Sequence, residues 1–432
     1  MTRGFVRMLT LVSGAAAFAL LLPLVAQATG PGDLDPAFGG GDGMATFSLS
    51  SESESIGTVL ATTGGRILLL GEDDGPVESI AVARLTAAGD PDTGFGGGDG
   101  KVRMQFLDGS DAYNGLVVLP SGKIAVAVAT SASGGRSKLG VGRFTASGVA
   151  DSTFGGGDGK VIIDLGKDFY AYDMVALPSG KLLICGEFYV TDDDAKFLVV
   201  RLKANGTLDH SFGGGDGIAQ TQFRALDDGA WRIALDTQGR IVVDGWVEEA
   251  GGGGDYDIGV ARYMPDGAPD HTFSGDGRVV TQMFEHADDW AYGLGLQGNK
   301  IVVGAHADPG DGRKRIALLR YLPGGGLDPD FGGGDGEVIT PNGDTSTSLE
   351  DLAIDGNNRI LASATVATSP TQFLVARYSP SGKLDTGFGT DGFATASFAS
   401  GSSEANLSVA GNGKVVVAGH TGGDTAVARF LP

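Results

Sequence analysis

The feature that most restricts the fold of this chain is a glycine-rich motif that recurs seven times. Its first copy is LDPAFGGGDG, and related stretches follow as PDTGFGGGDG, ADSTFGGGDG, LDHSFGGGDG, PDHTFSGDG, LDPDFGGGDG and LDTGFGTDG. The aspartate of the motif recurs every 57 to 61 residues, at Asp35, Asp92, Asp151, Asp209, Asp270, Asp328 and Asp385. Internal repetition of this length is typical of propellers, solenoids and other arrays. Because the excess of glycine in this chain, which has 75 glycines in 432 residues, follows this period, it does not indicate a disordered linker.

Each unit contains four runs that have the character of β-strands. A short run such as KVRMQF follows the motif, a second run ends in a turn such as PSGK, and a third is almost wholly apolar, as in LLICG. A fourth run ends in arginine, as in FLVVRL. Short aliphatic runs bounded by glycine and proline are typical of buried strands. Seven such units predict an all-β, seven-bladed β-propeller with four antiparallel strands per blade, and a β-solenoid is the alternative.

These motifs, G-x-LDxxFGxxDG, then P-S-G-K and A-R-[YF], resemble the delta-60 repeat family of bacterial β-propeller proteins. The resemblance covers all seven units, and Ser274 in place of a glycine is one of its few departures. Since that family is largely without assigned function, the resemblance implies a fold and little chemistry.

An arginine closes the fourth run of every unit, and in the first six units it stands eight residues before the next motif aspartate. The seven are Arg84, Arg143, Arg201, Arg262, Arg320, Arg377 and Arg429. The guanidinium fork can hold a carboxylate with two parallel hydrogen bonds, so we expect a structural Arg–Asp pair in each unit. The phenylalanine of each motif is expected to fill the core beneath the glycine corner.

The two ends of the chain carry the unpaired members of this series. Arg429 has no following aspartate, and Asp35 has no preceding arginine. We therefore expect Asp35 to face Arg429, and the N-terminal strand, roughly residues 44–48, to join the last blade and close the ring.

The first 28 residues have the order of a secretory signal peptide. Arg3 and Arg7 precede an apolar run that ends before Ala26-Gln27-Ala28, which predicts cleavage after Ala28 and export to the periplasm or the extracellular space. The alternative is a retained membrane anchor. Residues 29–432 then form one seven-repeat domain, expected to be monomeric and to have no membrane span.

Composition excludes several classes of function. A formal charge of −22 repels phosphate backbones, so no nucleic-acid partner is expected. The single cysteine, Cys185, lies in an apolar run and is expected to be buried and unreactive. The glycine corners lack the spacing of phosphate or calcium loops, and the histidines lack ligand spacing. The sequence therefore predicts no catalytic residues, cofactor or metal.

Two loops of each unit vary between repeats, and both are expected on one face of the propeller. They carry acidic and aromatic residues, a composition suited to a glycan, a basic peptide or a cation, although solvated loops with a few buried aromatics are the alternative. The candidate ligand residues are Tyr113, Tyr170, Tyr172, Trp231, Trp246, Tyr256, His286, Trp290 and Tyr292. The expected function is an exported non-catalytic binding or scaffold propeller. The alternatives are a purely structural cell-surface or matrix protein and a carboxylate-based glycan hydrolase or lyase.

Overall fold

Seven four-stranded antiparallel sheets and one short 3-10 helix, Gly39–Gly41, make up the regular secondary structure of the described residues in this computed structural model. It describes residues 30–49, 55–73, 79–109, 111–191, 194–224, 226–249, 255–284, 289–341, 343 and 345–432, with the side chains of residues 111–114 left out. The predicted signal peptide, residues 1–28, lies outside these ranges, as does His286, and Tyr113 is described only as backbone.

Each blade contains four strands, which we number from the central axis outwards in chain order. Blades 1 to 3 are β2 (Ile56–Ala61), β3 (Ile67–Asp73), β4 (Ser79–Leu85), β5 (Lys101–Met104); β6 (Asp111–Val118), β7 (Ile124–Thr130), β8 (Lys138–Phe144), β9 (Lys160–Ile163); and β10 (Phe169–Ala176), β11 (Leu182–Thr191), β12 (Asp194–Leu202), β13 (Ile218–Thr221). Blades 4 and 5 are β14 (Asp228–Leu235), β15 (Ile241–Glu248), β16 (Tyr256–Tyr263), β17 (Arg278–Thr281); and β18 (Trp290–Gln297), β19 (Lys300–Ala307), β20 (Arg315–Tyr321), β21 (Glu337–Thr340). Blades 6 and 7 are β22 (Thr347–Ile354), β23 (Ile360–Val366), β24 (Gln372–Tyr378), β25 (Phe393–Ala396); and β26 (Ser403–Val409), β27 (Val415–Thr421), β28 (Asp424–Phe430), β1 (Met44–Phe47).

Blade boundaries fall one strand later than the sequence units. The short run after each glycine corner becomes the outermost strand of the preceding blade, so every unit passes its first strand to its neighbour. In blade 7 that strand is β1, which pairs with β28 in the register Met44↔Ala428. The expected ring closure by the N-terminal strand is confirmed.

The core consists of apolar layers between adjacent blades. The third run of each unit, the second strand of its blade, is buried almost throughout, for example Leu182, Ile184 and Cys185 at 0% exposure. Cys185 is a free thiol, and burial raises its pKa well above the usual range, as expected for an unreactive side chain. All seven motif phenylalanines are likewise 0% exposed, which confirms their predicted position in the core (Phe38, Phe95, Phe154, Phe212, Phe273, Phe331, Phe388).

The predicted Arg–Asp pairs form in all seven blades, but with one hydrogen bond rather than two. In blade 3, Arg201 Nε donates to Asp209 Oδ2 at 2.7 Å, whereas Asp209 Oδ1 accepts from the backbone and hydroxyl of Ser211. The guanidinium does not use both of its parallel donors on the carboxylate, because the second oxygen already accepts hydrogen bonds within its own turn. The ring closure repeats the arrangement, with Arg429 Nε 2.7 Å from Asp35 Oδ2.

The corner glycines are required by geometry. Gly155 has φ +64°, and a Cβ at that position would lie 1.8 Å from the carbonyl oxygen of Lys160. Only glycine fits where the corner folds back on the strand that it begins. The repeated motif is therefore a structural corner.

Candidate functional site

The two faces of the propeller differ in the way the sequence predicts. One face carries two kinds of loop: those that lead from the outermost strand of one blade to the innermost strand of the next, and those that join the second and third strands of a blade. The two kinds meet there, for example where Thr347 N donates to Lys314 O at 2.8 Å. We call this the variable face. The hairpin turns and glycine corners share the other face, where Lys181 Nζ lies 2.7 Å from Asp209 Oδ2. We call this the corner face.

A β-bulge lies at the same level of every inner strand, near the variable face. The register shifts at Tyr172 in blade 3, Trp231 in blade 4 and Tyr292 in blade 5. A bulge re-aims the side chain of its extra residue. Here the re-aimed rings meet: Tyr172 stacks on Trp231 with centroids 4.7 Å apart, and Tyr292 lies edge-on to Trp231 at 5.0 Å.

These rings belong to a larger assembly that we call the aromatic cluster, which consists of Tyr172, Trp231, Trp246, Tyr256, Trp290, Tyr292 and His306. Trp290 stacks on Trp246 at 5.9 Å and on Tyr292 at 6.1 Å, and Tyr256 packs edge-on against Trp290 at 5.0 Å. All three tryptophans of the chain are members. Trp246 is buried, at 8% exposure, and Gly229 leaves room for its indole, whereas Tyr172, Trp231, Trp290 and Tyr292 are partly exposed.

Six of the nine predicted ligand residues therefore lie together. Among the described residues, the ring contact of Tyr170 is with Tyr189, edge-on at 5.9 Å, and not with the six. Within the described ranges, Trp246 has too little exposed surface to contact a ligand directly and instead supports Trp290. His306, which the sequence analysis did not select, stacks on Tyr292 at 4.9 Å, and burial lowers its pKa to about 3, so it is neutral.

Glu187 fixes the tyrosines at one side of the aromatic cluster. Its carboxylate accepts hydrogen bonds from the Oη atoms of Tyr172 at 3.1 Å and Tyr189 at 2.9 Å. Burial raises the pKa of Glu187, and burial together with the Glu187 charge raises that of Tyr172 beyond its usual range. The ring of Tyr172 is thus held by its hydroxyl at one end and by its stacking contact with Trp231.

A layer of charged side chains lies one residue further along the inner strands than the bulge. Asp173 accepts from the backbone N–H of Ile233 in the next blade at 3.0 Å, and Asp351 accepts from Leu407 at the same distance. Arg232 reaches from blade 4 to blade 6, where its Nε lies 3.6 Å from Asp351 Oδ1 and its Nη2 donates to Glu350 O at 3.3 Å. Blade 5 has Gly293 at this level, so no side chain interrupts the path.

Asp244 completes this layer from the second strand of blade 4, directly across from Arg232. It is 0% exposed, and within the described structure neither carboxylate oxygen has a hydrogen-bond partner. Burial raises the pKa of Asp244 to about 8, against the opposing attraction of Arg232. Burial also raises the pKa of Asp173 to about 6. Sequence analysis missed this layer because its members come from three different repeats, although Asp244 is a charged exception in a run that is otherwise apolar.

At the bulge level, two acidic residues follow the aromatic residues of blades 3 to 5 around the ring. Glu350 occupies the bulge of blade 6, and Glu404 lies at the bulge of blade 7. Burial and the charge of Glu404 raise the pKa of Glu350 to about 7. Glu404 lies 3.3 Å from His420 Nδ1 and raises the pKa of that histidine.

The clefts on the corner face belong to the repeat itself. One of about 770 Å³ opens beside Thr62, Asn412 and Lys414, and one of about 440 Å³ beside Ser381 and Lys383. The first lies between hairpin turns of adjacent blades and the second between a glycine corner and a turn of the next blade, and these turns and corners recur around the ring. In the described residues no group of three or more His, Cys, Asp or Glu side chains is placed to hold a metal ion. No helix of the described chain is long and apolar enough to span a membrane.

This closed ring of seven sheets defines the class of protein as a β-propeller. Five segments match the family model described as a domain of unknown function (DUF5122) β-propeller, at residues 65–95, 119–154, 177–212, 239–273 and 299–331. These five segments are similar to the repeats of the DUF5122 β-propeller family. A comparison with curated protein sequences finds no match.

Several solved structures share the fold at low identity. A puromycin-hydrolyzing peptidase of Mycobacterium tuberculosis has a TM-score of 0.50 and 11% identity, over 84% of this chain and 48% of that one. The β-propeller domain of the Trilobed protease from Pyrococcus furiosus has a TM-score of 0.48 and 11% identity, over 88% and 96%. A streptogramin B lyase has a TM-score of 0.43 and 12% identity, over 90% and 97%. These likenesses concern the fold alone, and the fold hosts enzymes as well as binding proteins.

Proposed function

We propose that this protein is an exported, monomeric, non-catalytic binding propeller whose repeats are of the delta-60 type and whose ligand docks on the aromatic cluster. The observation that carries the proposal is the convergence of three bulged aromatic residues from consecutive blades, Tyr172, Trp231 and Tyr292, at the variable-face end of the axis. Partly exposed rings held from behind are preorganised for stacking, and rigid aromatic anchors contribute much of the affinity of a binding surface.

A glycan and peptide array on the mature protein tests this function. The wild-type protein and the variant Met264→Ala are expected to retain the same ligand, because Met264 is exposed on the corner face. Trp231→Ala combined with Trp290→Ala is expected to lose it. Retention by the double variant would remove the proposed site. Silence of the whole array would favour the alternative, a structural cell-surface or matrix protein.

Export is part of the proposal. The secreted protein is expected to begin at Thr29, which N-terminal sequencing of material from the periplasm or medium would establish. A chain that starts at Met1 and sediments with membranes would contradict it.

A second candidate function is favoured by one observation, the pKa of Glu350, which burial and Glu404 raise to about 7. A carboxyl group with such a pKa can act as a general acid or base near neutral pH. If the ligand is a glycan, release of new reducing or unsaturated ends by the wild type and not by Glu350→Gln would establish a hydrolase or lyase. Unchanged glycan would support binding alone.

A further inference from the structure

The bulge level around the axis is aromatic in three consecutive blades and acidic in the next two, whereas blades 1 and 2 have Gly57 and Asn114 there. Blades 3, 4 and 5 place Tyr172, Trp231 and Tyr292 at this level, and blades 6 and 7 place Glu350 and Glu404 there. The face of an aromatic ring carries partial negative charge and attracts cations. The aromatic and the acidic residues of this level therefore favour the same kind of ligand group.

The layer beneath gives this site an acid-rich floor. Arg232 crosses the axis and is the only basic side chain that the described residues place in that layer, where it is surrounded by Asp173, Asp244 and Asp351. The side chains of Arg232 and Asp351 retain 18% and 19% exposure, so solvent reaches them from the axis. With three carboxyl groups around it, the guanidinium offers no unbalanced positive charge to a ligand above.

Glu350 is the acidic group best placed to meet a ligand. Its side chain is partly exposed, and its carboxylate accepts no hydrogen bond from the described residues. Four charged groups act on it: Glu404 and Asp351 are negative, Lys314 is exposed on the adjacent loop, and Arg232 is engaged by the aspartates. A partly buried carboxylate that accepts no hydrogen bond from the protein is stabilised most by a ligand that donates one.

We propose that the aromatic cluster and Glu350 together bind the side-chain cation of a lysine or arginine in a basic peptide. The inference rests on the proposed function and specifies its ligand. A peptide is favoured over a small free amine because the surrounding variable-face loops add Asp194, Glu248 and Glu249, and because a net charge of −22 attracts basic partners at long range.

Intrinsic fluorescence provides a selective readout, since all three tryptophans belong to the aromatic cluster. The probes are a glycine–serine octapeptide with one central lysine, the same peptide with norleucine, and choline. Norleucine keeps the aliphatic stem and removes the charge. We expect saturable quenching by the lysine peptide, at least about tenfold weaker binding of the norleucine peptide, and binding of choline weaker than that of the lysine peptide.

Variants locate the charge that recognises the peptide. Glu350→Gln, which keeps the shape of the side chain, is expected to weaken lysine-peptide binding about fivefold to tenfold. Asp90→Asn removes an exposed carboxylate on the corner face and is expected to leave binding unchanged. Because Glu350 ionises as the pH rises through about 7, wild-type affinity should increase between pH 6 and pH 8, and this increase should be smaller in Glu350→Gln, which keeps only the contribution of Asp173 and Asp244 in the layer beneath.

The outcomes distinguish a failure of the cation inference from a failure of the proposed binding function. Equal binding of the lysine and norleucine peptides, or full affinity of Glu350→Gln, would overturn the cation inference. Choline binding as tightly as the lysine peptide would show that the ligand is a small amine. A neutral glycan that binds through Trp231 while the lysine peptide does not would overturn the inference and leave the binding function standing. Absence of any ligand on the array would overturn both.

Discussion

Five of the seven corner arginines, all except Arg262 and Arg377, join three parts of the molecule at once. Arg201 Nε binds Asp209, its Nη1 donates to the carbonyl of Pro265 in the next blade at 2.6 Å, and its guanidinium lies 4.6 Å from the ring of Phe212. The arginine-over-phenylalanine contact recurs in all seven blades at 4.4 to 4.7 Å. Lysine has a single donor group and no planar face, so it cannot replace these contacts together.

Arg201→Ala should therefore destabilise the protein strongly. The carboxylate of Asp209 keeps Lys181, 2.7 Å away, so we expect a loss of about 3 kcal/mol, at the lower end of the ~3–5 kcal/mol typical when a buried pair loses one member. Urea unfolding measures the difference. Lys181→Ala is the matched control, and because Lys181 is one-third exposed it should cost less than about 1 kcal/mol. A loss below about 0.5 kcal/mol for Arg201→Ala would contradict the role given to the pair.

Asp244 gives stability a defined dependence on pH. Its pKa is about 8 in the folded protein and near 4 when unfolded, so the folded state binds the additional proton between these values. Its contribution to stability is therefore fully present below about pH 4 and lost as the pH rises towards 8. Asp244→Asn, which is neutral and of the same shape, should be more stable than wild type by at least about 1 kcal/mol at pH 8.5 and should differ little at pH 4.5. A variant less stable than wild type at pH 8.5 would show that the carboxylate form supports the fold.

At the scale of elements, the bulged inner strands decide where side chains meet at the axis. Gly293 and Gly295 in β18 let β22 approach closely, because a Cβ at Gly293 would lie 2.5 Å from Leu352 Cβ and 2.8 Å from its backbone nitrogen. This approach places Asp351 within reach of Arg232 across blade 5.

Gly293→Ala should push β18 and β22 apart. We expect a loss of stability of about 1–3 kcal/mol from overpacking, together with weaker ligand binding because Tyr292 is the preceding residue. Gly356→Ala is the control, since a Cβ there meets nothing within 4 Å and its φ is not positive. Thermal unfolding and fluorescence titration measure the two effects. Identical values for the two variants would contradict the close-packing account.

At the scale of the whole molecule, the repeat period explains most of what the sequence predicts. Seven copies of the corner motif and the arginine eight residues before it are enough to predict seven blades, the Arg–Asp pairs and the closure of the ring. The contacts of the aromatic cluster and Arg232 are different, because they join single residues from blades 3 to 6 and recur nowhere else. Predicting that Trp231 meets Tyr172 requires the bulge, and no local pattern in the inner strands marks its position.

A circular permutant tests the ring closure. Joining Pro432 directly to Pro31 puts Asp35 eight residues after Arg429, the spacing of the other six pairs. Deleting residues 32–48 should lower the melting temperature by about 10 °C, because it removes the outer strand of blade 7, the Phe38 core residue and the Asp35 carboxylate. A permutant that runs from residue 49 to 432 and continues with 31–48 should recover most of that loss. A deletion that melts like wild type would contradict closure by this strand.

The most direct test of the account as a whole is whether ligand binding changes tryptophan emission. Trp231, Trp246 and Trp290 all belong to the aromatic cluster, so a ligand that docks there must alter their fluorescence. Calorimetry gives an independent dissociation constant for any ligand found on the array. For such a ligand we predict a saturable change in tryptophan emission with the same dissociation constant. Unchanged emission at saturating ligand would place the binding site elsewhere and contradict the account.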